Sequence, residues 1–215
     1  MEGLRSWLRR ALAPRADVDG GAWGDADAVA RAQLEMASAL TLAYDTLDAE
    51  LELAGHAARV AALADELAAR LGLDEGARRT LAAAALLHEV GMIAVPRALL
   101  RKRGALTPAQ LDAVRAQAVV GAELVRATHG ELVADLVEHQ YADMDALVRA
   151  FPGDGPALVL AGILRLADVL DAVTRPRPYQ PPLPPALRDD LLASGSGTRF
   201  HPAAVHAFLK LPRAA

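Results

Sequence analysis

One stretch constrains this chain more than any other: an unbroken apolar run that leads directly into two polar side chains. Residues 81–87 are all alanine or leucine, and His88, Glu89 and then Gly91 follow them. Alanine and leucine are strong helix formers, so the stretch predicts a buried helix that ends near the glycine. Polar groups at such a place cost free energy unless they are satisfied. The His-Glu pair is therefore either a hydrogen-bonded helix terminus or part of a metal site.

The same two residue types dominate the whole chain and predict an all-α fold. Of the 215 residues, 53% are apolar but only 4% are aromatic. No stretch alternates convincingly between apolar and polar residues at the period of a strand. The length suits one domain with a hydrophobic core. We predict a helical bundle with an N-terminal helical extension.

Apolar residues that recur every three or four positions indicate where the helices lie. Thr107, Pro108 and Gln110 predict a helix start, because the threonine caps, the proline takes the first position and the glutamine completes a capping box. We expect a loop at residues 141–155 and an extended proline-rich segment at residues 176–185. The helices are expected at about 25–50, 56–71, 75–89, 108–127, 131–141, 157–173, 185–193 and 202–211.

These patterns divide the chain into an N-terminal segment with a linker, residues 1–24, and a helical domain, residues 25–215. The domain has a leading helix, a core and a C-terminal proline-rich segment with short helices, at residues 25–50, 51–173 and 174–215 respectively. The leading helix carries an apolar stripe from Met36 to Leu51. A homodimer through this helix is therefore one hypothesis.

Charge and composition exclude several classes of partner. The net charge of -4 offers no field that would recruit nucleic acid, and the chain has no cysteine. The missing cysteine excludes disulfides, thiolate catalysis and cysteine-type zinc sites. No run of about eighteen apolar residues is present, so we expect no transmembrane segment and a cytoplasmic location.

Histidines and carboxylates recur together on the predicted helices. Glu52 and His56 are four residues apart, which places them on one helical face if the helix continues. His139 follows a glutamate near the end of another helix, and Asp168 and Asp171 lie three residues apart in the most apolar helix. Buried carboxylates there need partners, and a cation is the obvious one. Imidazole and carboxylate ligands suit manganese, iron, nickel or zinc.

An ordered series of segments resembles the HD-GYP branch of the HD phosphohydrolase superfamily. The series covers about three quarters of the chain, and its most similar segment is residues 167–173 followed by Arg177, Pro178 and Tyr179. The other segments that carry the resemblance are residues 55–60, 85–96, 99–107, 121–124 and 200–205. The resemblance implies a helical bundle whose inward-facing histidines and carboxylates hold metal ions. It implies hydrolysis of a phosphodiester, usually cyclic di-GMP, a bacterial second messenger.

The resemblance also assigns residues to this site. Its metal ligands would be His56, His88, Glu89 and Asp168, with Glu52 and His139 as two further candidates. Asp171 and Arg177 would contact a nucleotide. From the residues alone, Asp171 could instead make a hydrogen bond at a helix end, and Arg177 a surface salt bridge.

Several positions depart from the family pattern. Glu89 stands where the family has aspartate, and Met92 where it has lysine. Gln117 and Gln140 stand where it has histidines, and Gln180 where it has a basic residue. The Gly-Tyr-Pro signature is not present. Because glutamine is a poor transition-metal ligand, we expect at most a partial, mononuclear site.

Three hypotheses follow from these observations. In the first, the chain is an altered domain of cyclic di-GMP signalling that binds or regulates, with weak or no hydrolysis. In the second, it is an active metal-dependent phosphodiesterase with a reduced, mononuclear site. In the third, it is a metal-free helical scaffold that dimerises through the leading helix. Family resemblance favours the first two, but an intact site decides function more directly than a fold does.

Overall fold

A computed structural model describes residues 55–102, 104–153, 155–175 and 181–211 of this chain. Within these ranges the chain forms nine α-helices, and one short 3-10 helix over Val90–Ala94. The α-helices, in chain order, are α1 (His56–Arg70), α2 (Glu75–Leu87), α3 (Arg97–Leu100), α4 (Pro108–Arg115), α5 (Gln117–Glu138), α6 (Met144–Ala150), α7 (Pro156–Thr174), α8 (Pro185–Gly195) and α9 (Pro202–Leu209).

The all-α prediction is confirmed. The described ranges contain no β-strand, and only one isolated bridge joins Ser196 to Phe200. The capping box is also as predicted, since the hydroxyl of Thr107 accepts from the amide of Gln110 and the Gln110 side chain accepts in return. No helix in the described part of the chain is both long and apolar enough to cross a membrane. The leading helix and its homodimer lie outside the described residues.

The core lies where α1, α2, α5 and α7 pack together. Helix α7 runs through its centre, because most of its side chains are buried. Leucine and alanine fill the space, with Leu67, Leu81, Leu136 and Leu164 wholly inaccessible to solvent. Close packing of small side chains brings helix ends near one another, so polar residues at those ends can meet.

A close backbone crossing fixes the segment that follows α2. The 3-10 helix lies on α5 at Gly91, where an added Cβ would be only 2.0 Å from the carbonyl oxygen of Gln117 and 2.6 Å from the amide of Gly121. Only glycine fits at this point, because backbone atoms cannot move aside as a side chain can. The crossing therefore holds His88 and Glu89 against the start of α5.

Three predicted boundaries were wrong. The predicted helix 108–127 is interrupted at Ala116, between α4 and α5. The predicted helix 131–141 ends earlier, at Glu138, whereas the break predicted before it is confirmed, because Gly130 has a left-handed φ of 80° and a non-helical backbone that divides α5 into two helical parts. The predicted loop 141–155 contains α6, which buries Met144 and Leu147 at helical spacing.

Candidate metal centre

Four of the predicted site residues meet in space, although they come from three separate parts of the chain. The Nε2 atom of His56 lies 3.3 Å from Nε2 of His88 and 3.4 Å from Oδ1 of Asp168. It is also 3.9 Å from Oε2 of Glu89, and Nε2 of His88 is 3.8 Å from Oδ1 of Asp168. Both histidines are almost completely buried. The packing of α1, α2 and α7 thus produces a compact cluster of imidazole nitrogens and carboxylate oxygens.

Hydrogen bonds fix how the two imidazole rings are turned. Nδ1 of His56 lies 2.8 Å from a carboxylate oxygen of Asp171, and Nδ1 of His88 lies 2.8 Å from the carbonyl oxygen of Ala85. Each of these partners is an acceptor, so each Nδ1 carries a hydrogen and donates it. When both rings are neutral, their Nε2 lone pairs face each other at 3.3 Å. Such an arrangement requires a shared cation, either a proton or a metal ion.

The donor set fits a divalent transition metal. Two imidazole nitrogens and two carboxylates are a ligand set that manganese, iron, nickel and zinc accept. The ring nitrogens on the far side donate to a carboxylate and to a backbone carbonyl, as is usual for metal-bound histidines. His56, His88 and Glu89 each offer one ligand atom, and these three atoms lie within 4.8 Å of one another.

The cluster strongly favours a positive charge at its centre. Burial of the His56 ring opposes protonation, but contacts with Asp168 and Asp171 and the charge of Glu89 outweigh it and raise the pKa of His56 to about 10. Burial would raise the pKa of the Asp168 and Asp171 carboxyls. The hydrogen bonds and positive charge of His56 reverse this and hold the pKa of both below its usual range. The site is built to hold a cation among carboxylates.

Arg59 contacts the cluster through Asp171. The sequence did not predict this role. Its Nε and Nη2 atoms donate to the two carboxylate oxygens of Asp171 at 2.7 and 2.9 Å. The same carboxylate accepts from His56, which lies one turn before Arg59 on α1. Arg59 therefore fixes the aspartate that orients the ring of His56. The three-residue spacing of His56 and Arg59 was the only signal in the sequence.

Gln117 and Gln140, which stand where the resemblance places histidines, are also buried beside the cluster. The amide nitrogen of each donates to the carbonyl oxygen of His88, at 3.2 Å from Gln117 and 2.6 Å from Gln140. Gln117 also donates to the hydroxyl of Tyr141 at 3.0 Å, and burial raises the pKa of that phenol. Both side chains are therefore used to hold the backbone at His88.

The remaining predicted site residues have different positions. Glu52 and Arg177 lie outside the described residues. Nδ1 of His139 donates to the carbonyl of Asp135 at 2.9 Å, and its ring packs edge-on against Phe151. Within the described ranges, the compact metal-ligand group of His56, His88 and Glu89 includes neither His139 nor Asp168, but Asp168 lies within 4 Å of both imidazoles. Asp171 has both oxygens occupied by His56 and Arg59, so its place in the structure is that of a residue that positions His56.

Comparison with known proteins identifies the family of the chain. Residues 42–203 match the HD domain family, which is most of the chain. The chain belongs to the HD domain family. Its site residues His56, His88, Glu89 and Asp168 all lie within the matched range, as do Gln117 and Gln140. An HD domain accounts for the helical core in which the cluster lies.

Several curated relatives of this HD domain are phosphodiesterases of cyclic dinucleotides. It is 33% identical over 134 residues to 3′3′-cGAMP-specific phosphodiesterase 3 of Vibrio cholerae, covering 61% of this chain and 29% of the relative. It is 32% identical over 158 residues to a cyclic di-GMP phosphodiesterase of Pseudomonas aeruginosa, covering 72% and 38%. A cyclic di-GMP phosphodiesterase of Thermotoga maritima is 28% identical over 171 residues, covering 76% and 46%. The chain spans less than half the length of these relatives.

Proposed function

We propose that this HD domain binds one divalent transition metal ion and recognises a cyclic dinucleotide, with weak or no hydrolysis. The ligands are His56, His88, Glu89 and Asp168. The observation that carries the proposal is the 3.3 Å approach of the two Nε2 atoms, while each Nδ1 donates to an acceptor on the far side of its ring. The names of the relatives, which act on cyclic di-GMP or 3′3′-cGAMP, support this class of ligand.

A bound metal ion would polarise a phosphate oxygen and neutralise developing negative charge. Separate groups of residues would favour the binding of this ion. His56 and His88 present neutral nitrogens because Asp171 and the Ala85 carbonyl take their other ring hydrogens. Glu89 and Asp168 supply negative charge that favours a divalent cation over a proton. The burial of both imidazoles limits competition from water.

The reduced hydrolysis is inferred from the positions that would hold a second ion. Two-metal sites stabilise both the attacking and the leaving oxygen of a displacement, and one ion does less. Gln117 and Gln140 offer no imidazole, and their amide nitrogens are engaged at the carbonyl of His88. Met92 is buried and uncharged where the resemblance places a lysine. One metal site and a changed phosphate environment fit a binding or regulatory domain.

An active phosphodiesterase with a mononuclear site is the second candidate. The complete four-residue cluster favours it, because a single Lewis acid with a bound phosphodiester is sufficient for slow metal-assisted hydrolysis. The third hypothesis, a metal-free scaffold, would leave the opposed Nε2 atoms of His56 and His88 to share a proton.

Elemental analysis of the purified protein separates these hypotheses. We expect close to one equivalent of manganese, iron, nickel or zinc in the wild type, a large loss in His88→Ala, and no loss in His206→Ala. His206 is an exposed histidine on α9 and serves as the matched control. A wild type without bound metal after exposure to all four ions would contradict the metal centre and leave the scaffold.

Ligand binding and turnover are then measured on the metal-loaded protein. We expect cyclic di-GMP or 3′3′-cGAMP to bind in calorimetry, and little linear or mononucleotide product to form above the His88→Ala background. Rapid product formation that His88→Ala abolishes would instead establish the mononuclear phosphodiesterase.

A further inference from the structure

Arg165 is a partly buried arginine that the metal centre does not use. It lies on α7 one helical turn before Asp168, so both side chains are on the same face of the helix. Its Nε atom is inaccessible to solvent and has no hydrogen-bond partner among the described residues. An unpaired N–H of a buried charged group is costly, and it is usually satisfied by a partner or a ligand. The side chain therefore presents an unused donor next to a metal ligand.

Two contacts show what surrounds Arg165. A Cβ added to Gly162, one turn earlier on α7, would lie 2.2 Å from Cβ of His201, so the segment before α9 packs directly on this part of α7. The amide of Met144 donates to the carbonyl oxygen of Thr198 at 2.9 Å, which ties the same segment to the start of α6. Arg165 consequently lies where α7, the start of α6 and residues 198–201 come together.

Charged groups from three other parts of the chain surround this arginine. Burial lowers the pKa of the Arg165 guanidinium, Asp168 and Asp143 raise it, and Arg199 and Arg115 lower it. Of the two carboxylates, Asp168 belongs to the metal centre and Asp143 is exposed at the start of α6. Arg115 and Arg199 are also exposed. The charges of Arg115 and Arg199 thus act on the Arg165 guanidinium, which lies one helical turn from Asp168.

The position relative to the metal centre is further indicated by Tyr141. The charge of Arg165 acts on the Tyr141 hydroxyl, which accepts a hydrogen bond from Gln117. Gln117 in turn donates to the carbonyl of His88. The charge of Arg165 therefore acts on a hydroxyl that Gln117 links to the backbone of His88.

We propose that Arg165 binds a phosphate group of the ligand, with Arg115 and Arg199 at the rim of the same site. The ligand class is a phosphate ester or phosphodiester, with one phosphate oxygen at the metal centre and another at the Arg165 guanidinium. Guanidinium groups bind phosphate through paired, charge-assisted hydrogen bonds. The resemblance places a lysine on the 3-10 helix, where this chain has the uncharged Met92. Arg165 supplies a positive charge from α7 instead. This inference rests on the proposed metal centre.

The test is isothermal titration of the purified full chain with two probes, inorganic phosphate and cyclic di-GMP. The variants are Arg165→Gln, which removes the charge, and Arg165→Lys, which keeps the charge but loses the planar pair of donors. Arg79→Gln is the matched control, because Arg79 is exposed near the opposite end of α2 from His88 and, among the described residues, pairs locally with Glu75. Metal content is measured on every sample.

We expect Arg165→Gln to weaken binding of both probes about tenfold or more, since a hydrogen bond to a charged group contributes on this scale. Its metal content should equal that of the wild type, a result that a merely structural role next to Asp168 would not give. The affinity of Arg165→Lys for the probes should lie between those of Arg165→Gln and the wild type. The affinity of Arg79→Gln should match that of the wild type. If Arg165→Gln does not fold, by circular dichroism, Arg165→Lys decides in its place.

The remaining outcomes separate this inference from the proposed function. If Arg165→Gln binds both probes with unchanged affinity, the phosphate site at Arg165 is overturned. The proposed binding of cyclic di-GMP is then retained. Phosphate binding that depends on Arg165, without any binding of cyclic di-GMP, supports the phosphate site and overturns the cyclic dinucleotide as ligand. A metal-loaded wild type that binds neither probe overturns both.

Discussion

His56 and Asp171 are joined by a hydrogen bond of 2.8 Å between Nδ1 and a carboxylate oxygen, across 115 residues of sequence. This bond sets the tautomer of His56 and turns its Nε2 toward His88. Asp171 is itself held by two hydrogen bonds from Arg59. The proposed metal site therefore depends on residues that would not touch the ion, and this dependence can be measured.

Replacing Arg59 by lysine should weaken metal binding without removing a ligand. Lysine keeps the charge but cannot hold both oxygens of Asp171, so the ring of His56 loses its fixed orientation. Loss of such outer partners typically costs about 10- to 100-fold in metal affinity. Competition with a metal chelator measures the change.

The control for Arg59→Lys is Arg78→Lys. Arg78 makes the same two-bond contact with Asp65, at 2.8 and 2.7 Å, but on the surface between α1 and α2. It should leave metal affinity unchanged. Equal metal affinity in Arg59→Lys and wild type would show that Asp171 does not position His56.

Restoring histidines at the two glutamine positions should add a second metal site. We expect the double variant Gln117→His and Gln140→His to bind about one further equivalent of metal, because imidazole replaces a weakly ligating amide. Product formation from cyclic di-GMP should rise with it. The cost is the pair of hydrogen bonds to the His88 carbonyl, about 1 kcal/mol each.

The matching control replaces both glutamines by methionine, which removes the same hydrogen bonds without offering imidazole. It should not gain metal. If the histidine variant folds and its metal content stays at one equivalent, the glutamines are not what limits the site to one ion.

Metal addition should stabilise the wild type against heat. A ligand at about 100 times its dissociation constant adds about 2.7 kcal/mol, which corresponds to roughly 5–10 °C in melting temperature for a chain of this size. Asp168→Asn should lose most of this increase, because it removes one charged ligand.

Asp145→Asn is the matched carboxylate control, since Asp145 is exposed and, in the part of the chain that the structure describes, pairs with Arg149 on its own helix. Its metal-induced increase should equal that of the wild type. A full increase in Asp168→Asn would exclude Asp168 as a ligand.

Gly91→Ala should destabilise the fold strongly. Its Cβ would lie 2.0 Å from the carbonyl oxygen of Gln117, and backbone must move to relieve this contact. We expect a loss of about 3 kcal/mol or more in the free energy of unfolding, measured by urea denaturation. Gly155→Ala, where nothing lies within 4 Å of an added Cβ, should cost at most about 1 kcal/mol. Similar losses in both variants would mean that the crossing at Gly91 is not tightly constrained.

Much of the fold and part of the site were predictable from the sequence. Helical periodicity located α1 and α7, and the residue types at Thr107 and Gln110 located the capping box. Both signals depend on neighbours a few residues apart. The ordered resemblance selected His56, His88, Glu89 and Asp168 before any contact was known. The metal-binding role of these residues stays a prediction. The metal-binding roles of Glu52 and His139 and the nucleotide contact of Arg177 also stay predictions.

Other features could not be read from local patterns. Helix α6 was expected to be a loop, because its seven residues are too few for periodicity to distinguish it. The break at Gly130, by contrast, was predictable, because a glycine separates the two helical patterns. For α6, packing on the core decided the outcome, and packing depends on residues far away in the chain.

The sequence by itself determined that the chain is helical, which faces are apolar and which polar residues lie at helix ends. Only the tertiary structure decided that Nε2 of His56 and of His88 meet at 3.3 Å, that Arg59 holds Asp171, and that two glutamines donate to one carbonyl. Periodicity specifies that a face is buried but not against what. Hydrogen bonds need atoms placed to within a few tenths of an ångström, and only the packing of α1, α2, α5 and α7 fixes positions that closely.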